Sequence, residues 1–139
     1  MKKTNKGFTL IELLVVIAII GLLSTMAVVA LNNARQKARD AKRVSDIKQI
    51  QTALELFYND ASSYPTSANV AEGDPVEYLG TTYMAIVPSN PTPNGQAYTY
   101  AAVGAGWPDY TSYTLQYELE GKTGDIDPGV NTASPNGIK

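Results

Sequence analysis

One apolar run constrains this chain more than any other feature. From Phe8 to Leu31 every residue is apolar or small, and the only charge is Glu12. As a helix, these residues would span about 36 Å, enough for a bilayer hydrocarbon core of about 30 Å. Lys2, Lys3 and Lys6 precede the run. A chain of 139 residues makes one domain of ordinary size. Its own core cannot absorb such a segment, so the run belongs in lipid or against other apolar helices.

The helical pattern continues past Leu31. No proline occurs from Met1 to Tyr64, and the only glycine inside the run is Gly21. Ala34, Ala38, Ala41, Val44, Ile47, Ile50, Leu54 and Phe57 recur every three or four residues, which is helical periodicity. Asn59-Asp60 and then Ser62-Ser63-Tyr64-Pro65 form a stop signal. The spacing therefore predicts one helix from about Phe8 to Asp60, about 80 Å long. Small Ala34, Ala38 and Ala41 suit close approach of helices. Large Ile47, Ile50, Leu54 and Phe57 suit packing beneath a sheet.

Charge divides the chain in the same way. Residues 1–60 hold nine Lys/Arg against five Asp/Glu, whereas residues 61–139 hold two against eight. All eight prolines lie at or after Pro65 and all nine tyrosines at or after Tyr58. Histidine and cysteine are absent. That excludes a disulfide scaffold, a thiolate nucleophile, a Cys/His zinc site and a Ser-His-Asp triad. Arg35, Arg39 and Lys42/Arg43 form a basic stripe, read as a solvated face or as a contact for acidic neighbouring subunits. Asp40 and Asp46 dilute it and no aromatics interleave it, which argues against nucleic acid as a partner.

Glu12 separates the readings of the apolar run. A carboxylate within a bilayer helix costs about 2.5–3.5 kcal/mol, so it needs a partner. An ordinary signal peptide or a plain single-pass anchor gains nothing from it. A cut after Gly7 would instead give Phe8 a cationic amino terminus, four residues from Glu12 on the same helix face. A neighbouring copy could then bring its terminal ammonium to this glutamate, making Glu12 an assembly register.

Lys6-Gly7-Phe8-Thr9-Leu10-Ile11-Glu12, followed by the apolar run, resembles the N-terminal signature of type IV pilins and type II secretion pseudopilins, closest to the major pseudopilin G type. The resemblance implies residues 1–7 as a leader, cleavage by a prepilin peptidase between Gly7 and Phe8, N-methylation of Phe8, and Glu12 as the assembly glutamate. It also implies that the leader lies in the cytoplasm; the positive-inside rule alone leaves orientation open, because basic residues flank both ends of the run. Many family members carry a proline late in the run. Here Val28, Val29 and Ala30 stand there, and local melting would have to use Gly21 or Ser24-Thr25.

The second half reads as a small β-rich head over residues 61–139. Tyr113, Leu115, Tyr117 and Leu119 alternate with Thr114, Gln116, Glu118 and Glu120, a strand period of two. Gln96–Val103 reads as its partner, and Gly104–Asp109 as the connecting loop. Tyr78–Val87 reads as a short helix or a short strand. Asn131–Lys139 reads as a loose polar tail. Asp125 and Asp127 are two oxygen-ligand candidates for calcium, which members of the resembled family often bind in a loop after their last strand, but that family's Gly-Ala-Asp-Gly pattern is not reproduced here and turn-forming aspartates beside glycines are the favoured explanation.

The expected fold is thus α+β: a long helix spanning the membrane over 8–31, its amphipathic continuation over 32–60, and a small antiparallel sheet. The expected function is a non-enzymatic filament subunit of the secretion pseudopilus kind. Its implied partners are membrane lipid before assembly, copies of itself in a helical filament, minor pilins, an assembly ATPase and an inner-membrane platform. A type IV or competence pilin, and a membrane-anchored binding module, are the competing readings.

Overall fold

The computed structural model describes residues 7–93 and 95–138; the expected leader residues Met1–Lys6 lie outside them. It divides into two compact units, Met1–Arg35 and Gln36–Lys139. Helix α1 runs from Leu10 to Ala61. Its apolar first part is exposed at every described position and is long and apolar enough to cross a membrane. Ser24 and Thr25 do not break it. Their hydroxyls donate to the carbonyls of Ile20 and Leu22, so neither polar group is left unsatisfied within the apolar run.

In the second unit, α1 buries Ile47, Ile50, Leu54 and Phe57. The expected stripe is not one face. Steps of three residues fall about 60° short of a full turn, so a run of them walks around the helix. Ala38 and Ala41 face solvent, Val44 is half-buried, and Ile47 and Ile50 are fully covered. The buried face begins instead with Asp40 and Arg43.

The helix stops at Ala61 because Ser62 turns into the left-handed region, φ 56°, while its N–H still donates to Tyr58. The exit segment is then tied to the sheet. The Tyr64 N–H donates to the Tyr110 carbonyl, and the Tyr100 hydroxyl to the Pro65 carbonyl.

Two antiparallel sheets follow. Strands β1 (Val76–Tyr78) and β2 (Thr81–Met84) form a hairpin where the sequence left helix or strand open. Strands β3 (Thr99–Gly104), β4 (Tyr110–Leu119), β5 (Gly129–Ser134) and β6 (Gly137–Ile138) form a four-stranded meander in that order. The alternation on β4 is borne out: Tyr113, Leu115, Tyr117 and Leu119 are all buried. Leu115 pairs with Tyr100 on one side and Ala133 on the other, giving a continuous buried row across three strands.

The expected loose tail is corrected here. Asn131–Ser134 belong to β5, paired with β4, and Gly137–Ile138 close a hairpin back onto Ala133 and Ser134. Their polar side chains hide a strand that is held by backbone pairing and by Ala133, which is fully buried.

Candidate functional site

The first candidate site is the start of α1. Gly7 and Phe8 precede the helix, and Phe8 is 75% exposed. Thr9 stands just before Leu10, at the position whose side chain can serve the unpaired N–H groups of the first turn. The Glu12 carboxylate accepts from the Thr9 N–H at 2.8 Å and from the Thr9 hydroxyl, and the Glu12 N–H donates back to the Thr9 hydroxyl at 3.3 Å. This reciprocal arrangement is a capping box. The sequence carried its signal, Thr-x-x-Glu ahead of an apolar run, and the reading of Glu12 as an assembly residue passed over it. In a single copy, Glu12 is therefore satisfied by its own chain. Any second copy that takes this carboxylate must compete with Thr9.

The second candidate site is an ionic cluster that joins α1 to the end of β4. Asp40 and Arg43, three residues apart on one helix face, are 1% and 0% exposed. Arg43 donates to Asp40 at 2.6 Å, to Glu120 at 2.8 Å, to the Asn90 amide oxygen at 2.7 Å and to the Pro91 carbonyl at 3.1 Å. Arg39 grips both Glu120 oxygens, at 2.7 and 2.6 Å. Asp40 also accepts the backbone N–H groups of Glu120 and Gly121, at 3.0 and 2.9 Å. Gly95 lets the loop close over this cluster: its φ is 104°, and a Cβ there would collide with Asn90 and lie 3.0 Å from Arg43.

The basic stripe thus differs from its expectation as a solvated face. Arg39 and Arg43 turn inward to Glu120 and Asp40, while Arg35, Lys37 and Lys42 remain exposed. Nearby, burial pushes the Asp46 carboxyl above its usual range, and the Tyr98 hydroxyl at 3.2 Å and the Lys42 charge oppose that shift.

Asp125 and Asp127 sit in the turn between β4 and β5, both exposed. Asp127 pairs with Lys122 at 3.2 Å. Among the described residues, no three acidic, histidine or cysteine side chains converge as a metal cage. Calcium takes six to eight oxygens, so a site here would need backbone carbonyls or waters beside the two aspartates, and Lys122 competes for Asp127. The full chain in detergent is expected to melt at the same temperature with and without a calcium chelator. A chelator-sensitive transition would mark the aspartates as ligands.

A membrane-length apolar helix, capped at its start and carried on into a head of antiparallel sheet, defines the pilin class of filament subunits. Residues 2–28 match the prokaryotic N-terminal methylation motif. Three relatives, each a type II secretion system core protein G, show how far the likeness extends. The Vibrio cholerae protein is 34% identical over 114 residues, covering 75% of this chain and 77% of its own. The Aeromonas hydrophila protein is 33% identical over 102 residues, 67% and 71% of the two chains. The Pseudomonas aeruginosa protein is 29% identical over 135 residues, 91% and 92% of the two. No solved structure matches the chain. The chain belongs to the pseudopilin G family, the core protein G of type II secretion systems.

Proposed function

We propose that this chain is cut between Gly7 and Phe8 by a prepilin peptidase, methylated on Phe8, and built into the pseudopilus of a type II secretion system. Before assembly it sits in the inner membrane with its leader in the cytoplasm and its head outside. An assembly ATPase and an inner-membrane platform drive its addition beneath minor pilins, and the filament moves cargo by growing and retracting. The chain contributes structure rather than catalysis.

One observation supports this reading above the others: the apolar first part of α1, exposed from Leu10 to Leu31, carries its only charge, Glu12, in the first turn. A plain anchor has no use for that charge. In a filament it sets the axial register, exchanging its own Thr9 for the terminal ammonium of a neighbouring copy.

The mature amino terminus tests the proposal. Mass spectrometry of the chain produced alongside a prepilin peptidase is expected to find N-methylated Phe8 as the first residue. A terminus near Ala27 would mark an ordinary signal peptide and overturn it.

A further inference from the structure

The turn between β1 and β2 carries a contradiction. Leu79 and Gly80 both adopt positive φ, 48° and 83°, the geometry of a two-residue type I′ hairpin. Asn-Gly fits such a turn, because asparagine tolerates the left-handed region and leucine resists it. Leu79 is nonetheless 88% exposed. It therefore strains the backbone and contributes nothing to the core of its own chain.

Leu79 does not stand alone. Tyr78, beside it, packs against Phe57 at 5.3 Å and against Trp107 at 6.1 Å, and Trp107 is itself 46% exposed. Asp60 on the last turn of α1 holds the Tyr83 hydroxyl at 2.6 Å. Through Phe57, Tyr78 and Trp107 the C-terminal end of α1 thus meets an apolar tip that exposes Leu79 and Trp107, with exposed Glu77 and Asp109 two residues from them in sequence and exposed Asp60 on the helix itself. From Gln49 to Gly121 the sequence has eight acids and not one lysine or arginine.

The opposite character lies further back on the same helix. Lys37, Lys42 and Lys48 are exposed, and among the described residues none of the three makes an ion pair. Between them the surface is small and uncharged, at Ala38, Ala41 and Ser45. Lys37 and Lys48 precede Phe57 by 20 and 9 residues, about 30 and 14 Å along one continuous helix, so one copy holds the two surfaces apart.

We propose that the acidic, apolar tip at Leu79 and Trp107 docks on the lysine-flanked Lys37–Lys48 face of a second copy of this chain. The contact rests on the filament reading and deepens it. Two unlike patches, complementary in charge and set apart along the helix axis, make a head-to-tail contact. Contacts of that kind generate an open helical filament when the rotation between copies does not close into a ring.

The absence of cysteine makes the test clean. Filaments formed by the full chain carrying both Leu79→Cys and Ala41→Cys are expected to give a ladder of dimers, trimers and higher species on oxidation. Each single variant is expected to give none. Dimers from Leu79→Cys alone would mean that two tips meet each other, and a cross-linked band containing a different protein would mean another occupant; either overturns the proposal.

Leu79→Asn supplies a second readout that a structural role would not produce. Its melting temperature is expected to stay level or rise, because the turn is relieved, while the yield of filaments falls at least tenfold. Unchanged yield, or parent filaments that assemble while the double variant gives no ladder, overturns the docking contact and leaves the filament reading standing. A parent chain that forms no filament at all removes both.

Discussion

Replacing Glu12 with alanine is expected to leave cleavage after Gly7 intact and to remove the chain from the filament. The energetics make this a sharp test. In lipid, losing the carboxylate removes a cost of about 2.5–3.5 kcal/mol. Against that stands the loss of the capping box formed with Thr9, about 1 kcal/mol. The variant should therefore sit in the membrane at least as comfortably as the parent, so failed insertion would not explain failed assembly. Glu12→Gln divides the two roles of the side chain, because glutamine can still return a bond to the helix start but carries no charge. Loss of filaments in both variants, with normal cleavage, is the expected pattern. Filaments from Glu12→Gln at the parental level would show that the cap alone suffices and would sink the charge-register reading.

Arg43→Ala is expected to destabilise the head by about 3–5 kcal/mol, the usual result of breaking one side of a buried ion pair. Arg43 is 0% exposed and joins Asp40, Glu120, Asn90 and the Pro91 carbonyl. Removing it leaves Asp40 buried without its ion-pair partner, held by the N–H groups of Glu120 and Gly121 and by the more distant charge of Arg39. Chemical denaturation of the full chain in detergent measures the effect. Arg35→Ala is the contrast, because that side chain is exposed, and its expected change is within about 0.5 kcal/mol. Equal effects from the two substitutions would mean that the cluster contributes little beyond a solvated charge.

The sequence and the structure agree best where one physical signal acts alone. The apolar run, the absence of proline and the Tyr-Pro exit mark a helix whose observed bounds, Leu10–Ala61, lie within two residues of expectation. Tyr113 to Leu119 alternates at period two and forms the central strand of the four-stranded sheet. Agreement fails where partners distant in sequence decide. Asp40 and Arg43 look like surface charges until Glu120, some eighty residues away, arrives beside them. Strand β5 is built from Asn131, Thr132 and Ser134, whose side chains give no apolar pattern, and its ladder to β4 forms it nonetheless. Two signals were local and readable: Thr9-x-x-Glu12 as a capping box, and Pro135-Asn136 before Gly137 as the tight turn that joins β5 to β6.

The unbroken course of α1 has a mechanical consequence. Gly21, Ser24 and Thr25 all remain helical, and the two hydroxyls are bound to the preceding turn. A helix advances about 1.5 Å per residue and an extended chain about 3.3–3.6 Å, so each residue that unwinds adds roughly 2 Å of length. A strand of subunits with no proline in these helices holds all of that length in reserve. Under tension it can release it only by breaking backbone hydrogen bonds, so it behaves as a stiff rod at low force and yields only beyond a threshold load.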